Sequence, residues 1–319
     1  MQKGLIKAII KKREQQADTV IMLELARLNG KPLPEFYAGA HIDVYLKSGL
    51  VRQYSLCGSS KELSTYRIGV LKDPNSRGAS IEIHDYLLEG TEVVISEPRN
   101  LFPLVTQANH SILVAGGIGI TPILSMAYEL NDLGKSFELL YCGRSPESSG
   151  FVKELENSAF AERVTTHFDS EHGNNFANLN SILHNFDLDT HLYVCGPAMF
   201  IDWVIVSAIK LGINVEQIHK EFFSVDVDID GAGFEVVASR SGLTIHVDAG
   251  QSISDALKLN GLDVSVSCEQ GICGTCLCDV TEGIPDHRDS YLTDEEKQSN
   301  EQMTLCCSRS LSPKLILDI

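Results

Sequence analysis

The sequence predicts a multidomain chain: an antiparallel β-rich first part, an α/β second part with a parallel sheet, and a small third part built around a cysteine loop. Three observations predict it. Short apolar runs broken by Gly, Pro, Asn and Ser fill residues 1–104, apolar runs alternate with helical patterns over 105–222, and four of the nine cysteines crowd between 268 and 278. A length of 319 residues suits two or three domains.

In the first part, the runs at 5–10, 19–25, 41–46, 66–71 and 92–96 read as strands of an antiparallel sandwich or barrel, with one helix over 79–88. Val51-Arg52-Gln53-Tyr54-Ser55-Leu56 alternates, so Arg52, Tyr54 and Leu56 share one face of a strand, and Gln53 and Ser55 the other. Arginine suits a phosphate, and tyrosine offers a flat face to a conjugated ring. Ordinary surface strand residues look the same. Asn75-Ser76-Arg77-Gly78-Ala79-Ser80 opens the helix, and a helix start presents free N–H groups to an anion.

In the second part, the apolar run 111–115 leads into Gly116-Gly117-Ile118-Gly119-Ile120-Thr121-Pro122 and a helix over 121–133. A glycine-rich strand-to-helix turn brings pyrophosphate to a helix N-terminus, and Pro122 fits a first turn that needs no donor. The match to G-x-G-x-x-G is incomplete, because its last position is Pro122. Strands are expected at 137–141, 163–167 and 191–195, with helices at 151–157 and 198–211. Cys195-Gly196-Pro197 ends the last of these strands, where parallel sheets bind ligands. No P-loop motif is present. The uncharged run 111–128 has the length of a membrane span, but three glycines, Thr121 and Pro122 in its middle mark a strand, a turn and a helix start.

Residues 224–233 are acidic, end in glycines and read as a linker. Strands at 235–239 and 243–247 flank Ser241-Gly242 as a hairpin, and a short helix follows over 253–260. Cys268-x4-Cys273-x2-Cys276 has the plant-type [2Fe–2S] spacing, and Gly271 and Gly274 let backbone N–H groups approach the sulfides. A structural zinc site would show two short Cys or His arms, which are not seen here. The fourth thiolate comes from Cys306 or Cys307; neighbours in an extended segment point oppositely, so only one faces the cluster. Cys278 is spare. His287-Arg288-Asp289 has the text of a kinase catalytic loop, but Asp294 stands where that loop needs Asn, so it reads as a charged loop of the third part.

The net charge of −17 argues against a nucleic-acid binder and against docking on an anionic membrane. It suits a partner with a basic face, although solubility alone accounts for it equally well. The first twelve residues break their apolar run with lysines, so a cytoplasmic location is expected.

As a set, Arg52-x-Tyr54-Ser55-Leu56, Arg77-Gly78-Ala79-Ser80, Gly116 to Pro122, Cys195-Gly196-Pro197, Glu221-x-Phe223, the cysteine loop and Pro285-Asp286-His287-Arg288-Asp289 resemble the phthalate dioxygenase reductase family, over essentially the whole chain. The resemblance implies an FMN-binding β-barrel at 1–104, an NAD-binding α/β domain at 105–225 and a ferredoxin-like β-grasp [2Fe–2S] domain at 234–319. It implies that Arg52 and Arg77 to Ser80 hold the FMN phosphate, that Tyr54, Ser55 and Leu56, with Val70 and Lys72, line the flavin, and that Ser55 lies near its reactive edge. Phe223 would lie where nicotinamide enters, beside Thr121 and Cys195. Gly116, Gly117, Gly119, Thr121, Pro122, Cys195, Gly196 and Pro197 would bind the nicotinamide nucleotide. The family's fourth ligand precedes x-Ser-Arg, which selects Cys306. Two departures are Ala79, where a second glycine is usual and a methyl would crowd the phosphate, and the charged, aromatic Lys220-Glu221-Phe222.

The implied function is an NADH-dependent reductase that passes single electrons to a Rieske-type oxygenase, an aromatic demethylase or dioxygenase. NADPH is the lesser alternative, through Arg144 after the second strand. A carnitine or other quaternary-amine monooxygenase is the alternative partner. A non-catalytic, redox-sensing iron–sulfur protein is the alternative class, but it would leave the flavin and nucleotide motifs idle. A monomer is the simplest free state.

Overall fold

A computed structural model of the protein describes residues 4–74, 78–173, 177–183, 186–187, 189–224 and 227–319. The chain divides into two compact units, Met1–Phe223 and Ser224–Ile319.

The first unit begins with β1 (Leu5–Ala17), β2 (Val20–Arg27), β3 (Ala40–Tyr45), β4 (Val51–Ser55), β5 (Tyr66–Leu71), helix α1 (Ala79–Tyr86), β6 (Glu92–Ser96) and the short β7 (Arg99–Asn100). The strands pair antiparallel in the order β4-β3-β6-β1-β2-β5, with β7 beside β3. A Leu56–Ile68 bridge and a Cys57 N–H donated to the Arg67 carbonyl join the two ends, so the sheet closes into a barrel rather than a sandwich. Inward residues such as Ile6, Leu23, Ile42, Leu56, Ile68 and Ile95 fill it, with Ala79 and Ile83 of α1. β1 runs well past its apolar start: Lys12 to Ala17 pair with β2 across two register shifts, and those mostly polar residues gave no strand signal.

The chain continues through β8 (His110–Gly116), α2 (Ile120–Asp132), β9 (Ser136–Gly143), α3 (Val152–Glu156), β10 (Val164–Phe168), the one-turn helices α4 (Asp169–His172) and α5 (Asn180–Leu183), β11 (Thr190–Gly196), α6 (Ala198–Lys210) and β12 (Ile218–Phe222). The five strands are parallel, in the order β10-β9-β8-β11-β12. Successive residues of β8 enter opposite cores: Leu113 and Ala115 meet α2, while Ile112 and Val114 meet α6. Burial on both faces explains the unbroken apolar run. No described helix is long and apolar enough to cross a membrane.

The barrel and the parallel sheet share one core. Val20, Met22, Ala38, Cys57 and Phe102 pack with Leu113, Ile123, Met126 and Tyr193. At the seam Gly69 of β5 has no room for a Cβ, which would lie 2.7 Å from the Thr121 methyl and 2.9 Å from the Phe151 ring. Polar bonds reinforce it. Arg67 donates twice to Glu154, at 3.0 and 2.5 Å; Tyr128 donates to the same carboxylate, and the Ala38 N–H donates to Glu129 at 2.9 Å.

The second unit holds β13 (Phe234–Ala238), β14 (Leu243–Val247), α7 (Ile253–Leu259), β15 (Leu277–Glu282), β16 (Pro285–Asp286), α8 (Asp294–Ser299), β17 (Gln302–Thr304), β18 (Arg309–Ser310) and β19 (Lys314–Leu317). Its mixed sheet has the order β14-β13-β19-β15-β17, with β13 and β19 parallel. A hairpin, a helix, and a last strand returning beside the first make a β-grasp. Ser252 caps α7 by accepting from the Asp255 N–H, and Thr293 and Glu296 form a capping box on α8.

Arg67→Ala would leave Glu154 with a buried charge and is expected to cost the first unit about 3 kcal/mol. The double change Arg67→Met with Glu154→Leu should recover most of that loss. Denaturant unfolding of both variants checks it.

Candidate functional site

In the first unit the site forms where strand order reverses. The chain runs outward from β8 through β9 to β10, then returns to β11, so the turns after β8 and β11 leave adjacent strands in divergent directions. Those turns touch. A Cβ on Gly119 would strike the Cys195 carbonyl, and one on Gly116 would lie 2.8 Å from the Phe200 ring. Gly196 is confined by the same ring and by Gly116. Gly117 takes a left-handed φ of 56°, which glycine adopts without strain. Thr121, buried in the first turn of α2, donates to the Ile118 carbonyl at 3.0 Å, and Pro122 sits in that same turn. Arg144 is exposed at the end of β9, beside β8. Pro197 caps α6 in extended geometry.

The barrel adds its own residues. Ser55 ends β4 and is buried. Its hydroxyl stands near the carboxyl of Glu221 on β12 and favours that group's charged form. Burial pushes the Glu221 carboxyl up to about 8, the serine offsetting part of that. Its Oε2 is closed from solvent and has no hydrogen-bond partner among the described residues. Cys195 stands beside Glu221 in the sheet register; burial, then the nearby Glu221 carboxylate, raises its thiol well above the ordinary range. Phe223 follows β12 and packs half-buried on the shared core. Ser55, Cys195 and Glu221 are thus brought together from the barrel, β11 and β12.

The other expected ligands are placed less directly. Arg52 is half-buried on β4 and donates to the Val51 carbonyl. Burial raises the Tyr54 hydroxyl. Leu56 and Val70 are fully buried in the barrel core, which leaves backbone atoms to meet a ligand. Lys72 makes an exposed ion pair with Asp85 at 2.9 Å. Gly78 begins α1 at a φ of 103°, and Ser80 accepts from the Asp73 N–H at 3.2 Å. The methyl of Ala79 packs into the barrel core, so it spends its volume there and not on a phosphate. Arg77 lies outside the described residues. Glu221 was not among the expected site residues. Its signal was Glu221-x-Phe223, but only the pairing of β12 with β11 shows that the carboxyl is desolvated.

In the second unit Cys268, Cys273, Cys276 and Cys306 are all buried in one corner. Cys273 and then Cys306 hold the Cys268 thiol below the ordinary range, and Cys306 does the same for Cys276, while these neighbours and burial push Cys273 and Cys306 up. Backbone N–H groups of Gln270 and Thr275 point at the sulfurs of Cys268 and Cys273, at 3.4 and 3.5 Å. Cys307 lies against Gly271 of the ligand loop, and its Sγ is 3.1 Å from Thr304 Oγ1. Among the described residues no group of three or more His, Cys, Asp or Glu is arranged for a single metal ion. A plant-type cluster instead spreads four thiolates over two irons, and buried thiols with aimed amides fit that group. Gly271 and Gly274 have a second reason to be glycine: a Cβ on Gly271 would meet Cys307 and Asp289, and one on Gly274 the Tyr291 ring.

A nucleotide-type switch point joined to a barrel, with a four-thiol β-grasp in the same chain, defines a pyridine-nucleotide-linked iron–sulfur reductase. The 2Fe-2S iron-sulfur cluster binding domain matches residues 236–311, and the N-terminal domain of dimethylamine monooxygenase subunit DmmA-like proteins matches 95–218. The chain is 47% identical to the vanillate O-demethylase oxidoreductase of Pseudomonas sp. strain HR199, covering 99% of this chain and 100% of that one. It is 40% identical to the carnitine monooxygenase reductase subunit of Acinetobacter baumannii, over 98% and 97%. The solved phthalate dioxygenase reductase, a modular structure for electron transfer from pyridine nucleotides to [2Fe–2S], superposes with a TM-score of 0.80 at 37% identity, covering 100% of this chain and 99% of that one. The chain belongs to the phthalate dioxygenase reductase family, the electron-transfer reductases of oxygenase systems.

Two outcomes follow from the site. Glu221 has a folded-state value near 8 against 4.5 for the free side chain, so its contribution to stability is full below about pH 4.5 and is lost as pH rises through 8. Wild-type protein should lose stability relative to Glu221→Gln by on the order of 1.4 kcal/mol per pH unit across that window. Urea unfolding at pH 5, 7 and 9 reads it. For the thiols, Cys306→Ser should abolish the visible absorption of the iron–sulfur centre, and Cys307→Ser should leave it.

Proposed function

We propose that the chain is the NADH-dependent reductase component of a two-component, Rieske-type oxygenase, with an aromatic O-demethylase as the first candidate partner. Residues 1–104 would hold FMN, 105–225 NADH and 234–319 the [2Fe–2S] cluster. The observation that carries the reading is the meeting of Ser55, Cys195 and Glu221 at a nucleotide-type switch point, in a chain that also buries four thiols on a plant-type loop. The near full-length match to a vanillate O-demethylase oxidoreductase supports the choice of partner. The carnitine monooxygenase reductase at 40% identity favours the second reading, a quaternary-amine oxygenase.

Bound FMN would supply the step that accepts a two-electron hydride and releases single electrons. The residues do the rest. Arg52 and the turn through Gly78, Ala79 and Ser80 would hold the phosphate end, with Arg77, and Tyr54 the ring. The turns from Gly116 to Pro122 and from Cys195 to Pro197 would take the pyrophosphate and nicotinamide at the N-termini of α2 and α6. Phe223 would cover the face that nicotinamide must reach. Glu221, neutral at pH 7 by desolvation, keeps a proton on its carboxyl near Ser55. Arg144 would meet the adenosine ribose, and kcat/KM for NADH and NADPH tells which one it serves.

Residues 235–319 carry 14 acidic and 6 basic side chains, a net −8, which favours a basic docking face on the oxygenase. NADH-driven turnover with a purified vanillate-type oxygenase should exceed that with a carnitine-type one, and should fall several-fold between about 0.05 and 0.5 M salt. NADH oxidation with ferricyanide should be insensitive to the choice of oxygenase. No turnover with either oxygenase, or no ferricyanide reduction, would overturn the reading.

A further inference from the structure

His41 is an imidazole on β3 that is only 4% exposed. Its neighbours Ile42 and Val44 fill the barrel core, so His41 and Asp43 face the outer side of the barrel. On β4, Tyr54 packs against the same core, which puts Gln53 and Ser55 on the outer side too. The register pairs His41 with Ser55 on β4 and with Arg99 on β7. The Leu56 N–H donates to the Ala40 carbonyl at 2.8 Å, so the next pair, His41 and Ser55, is a non-hydrogen-bonded one, in which side chains stand closest. One rung therefore runs Arg99, His41, Ser55, and Glu221 of β12 stands near its last member.

Charge is graded along this rung. Arg99 donates to both oxygens of the buried Asp43, at 2.8 and 2.9 Å, so an ion pair closes the outer end. Burial, then Arg99, pushes the His41 imidazole down to about 4, with Asp43 opposing, so the ring is neutral at pH 7. Gln53 Nε2 lies 3.4 Å from His41 Nε2; an amide nitrogen only donates, so Nε2 accepts and the ring proton sits on Nδ1. At the inner end Glu221 keeps its proton up to about 8. A free carboxyl ionises before a free imidazolium does, and here that order is reversed. The charged and titratable groups facing the rung are Arg99 on β7, Asp43 and Tyr45 on β3, and Cys195 on β11 beside Glu221.

We propose that His41 is a positioning residue whose neutral ring donates from Nδ1 to the Ser55 oxygen, so that the serine hydroxyl hydrogen is turned toward Glu221 and its oxygen is fixed for the reacting edge of the flavin. A charged ring at this place would favour the Glu221 carboxylate and strip the site of its proton. The role toward the flavin rests on the reductase reading; the coupling of His41 to Glu221 through Ser55 does not.

Full-length protein, as purified, tests both. His41→Leu removes the donor and His41→Gln keeps one, and each is made with and without Ser55→Ala. The infrared band of a protonated carboxyl that Glu221→Gln removes reads the Glu221 titration. His41→Leu should raise its midpoint by about one pH unit, as loss of one hydrogen bond to the charged form would. His41→Gln should restore it, and neither change should move it further once Ser55 is alanine. In stopped-flow with NADH, His41→Leu should slow flavin bleaching about five-fold at unchanged half-saturating NADH, with rescue in His41→Gln. Nitrogen NMR of the unsubstituted ring keeps the proposal testable if His41→Leu does not fold: a neutral Nδ1–H ring is expected from about pH 5.5 upward. A ring charged at pH 6, or protonated on Nε2 alone, would refute the proposal. So would a midpoint that stays or falls in His41→Leu, or one that shifts equally in the Ser55→Ala background. A raised midpoint with unchanged bleaching would remove the role toward the flavin. Absence of NADH-driven bleaching in wild type would instead strike the reductase reading and leave the coupling to the infrared result.

Discussion

Ser55 belongs to the barrel and Glu221 to the parallel sheet, and the two side chains come near each other because barrel and sheet share one apolar core. Thr121 and Phe151 close on Gly69, Arg67 reaches Glu154, and Ala38 reaches Glu129. With that seam closed, the Glu221 carboxyl is held away from water, and it keeps a proton that an exposed glutamate would lose. An open seam would let water in and return Glu221 to ordinary acidity. The chemistry of the site is therefore a consequence of packing some distance from it.

The second unit solves a different problem. Four thiols are buried and crowded together, and ionising all of them is unfavourable unless metal takes up the charge. The scaffold around them is correspondingly tied down. Asp289 accepts from the Tyr291 and Leu292 N–H groups and from Ser308 Oγ, and the Ser290 N–H donates to Gly271. The segment 285–292 thus braces the ligand loop from behind. Residues that resembled a catalytic loop in the sequence do structural work.

Short-range features were legible from sequence because their signal is local. The turn from Gly116 to Pro122, the hairpin at Ser241-Gly242, helix α7 and the spacing of the first three cysteines all depend on neighbours in the chain. Features that depend on distant pairing were not legible. The polar half of β1 is a strand because β2 lies beside it. β12, β15, β17 and β19 are short, and long-range ladders place them. The strand pattern alone left sandwich or barrel open; the family resemblance implied the barrel, and the Leu56–Ile68 bridge closes it. The burial of Glu221, the inward turn of the Ala79 methyl and the fastening of 227–232 by Arg288 and Arg309 are likewise products of packing, with composition pointing the other way in each case.

The account turns on electrons from a nicotinamide nucleotide reaching an iron–sulfur centre within one chain. Anaerobic titration of the purified protein with NADH, followed by low-temperature EPR, measures that directly. The account predicts the signal of a reduced [2Fe–2S] cluster integrating to about one spin per chain. A protein that contains iron and sulfide but stays EPR-silent after excess NADH, while dithionite brings the signal up, would contradict it.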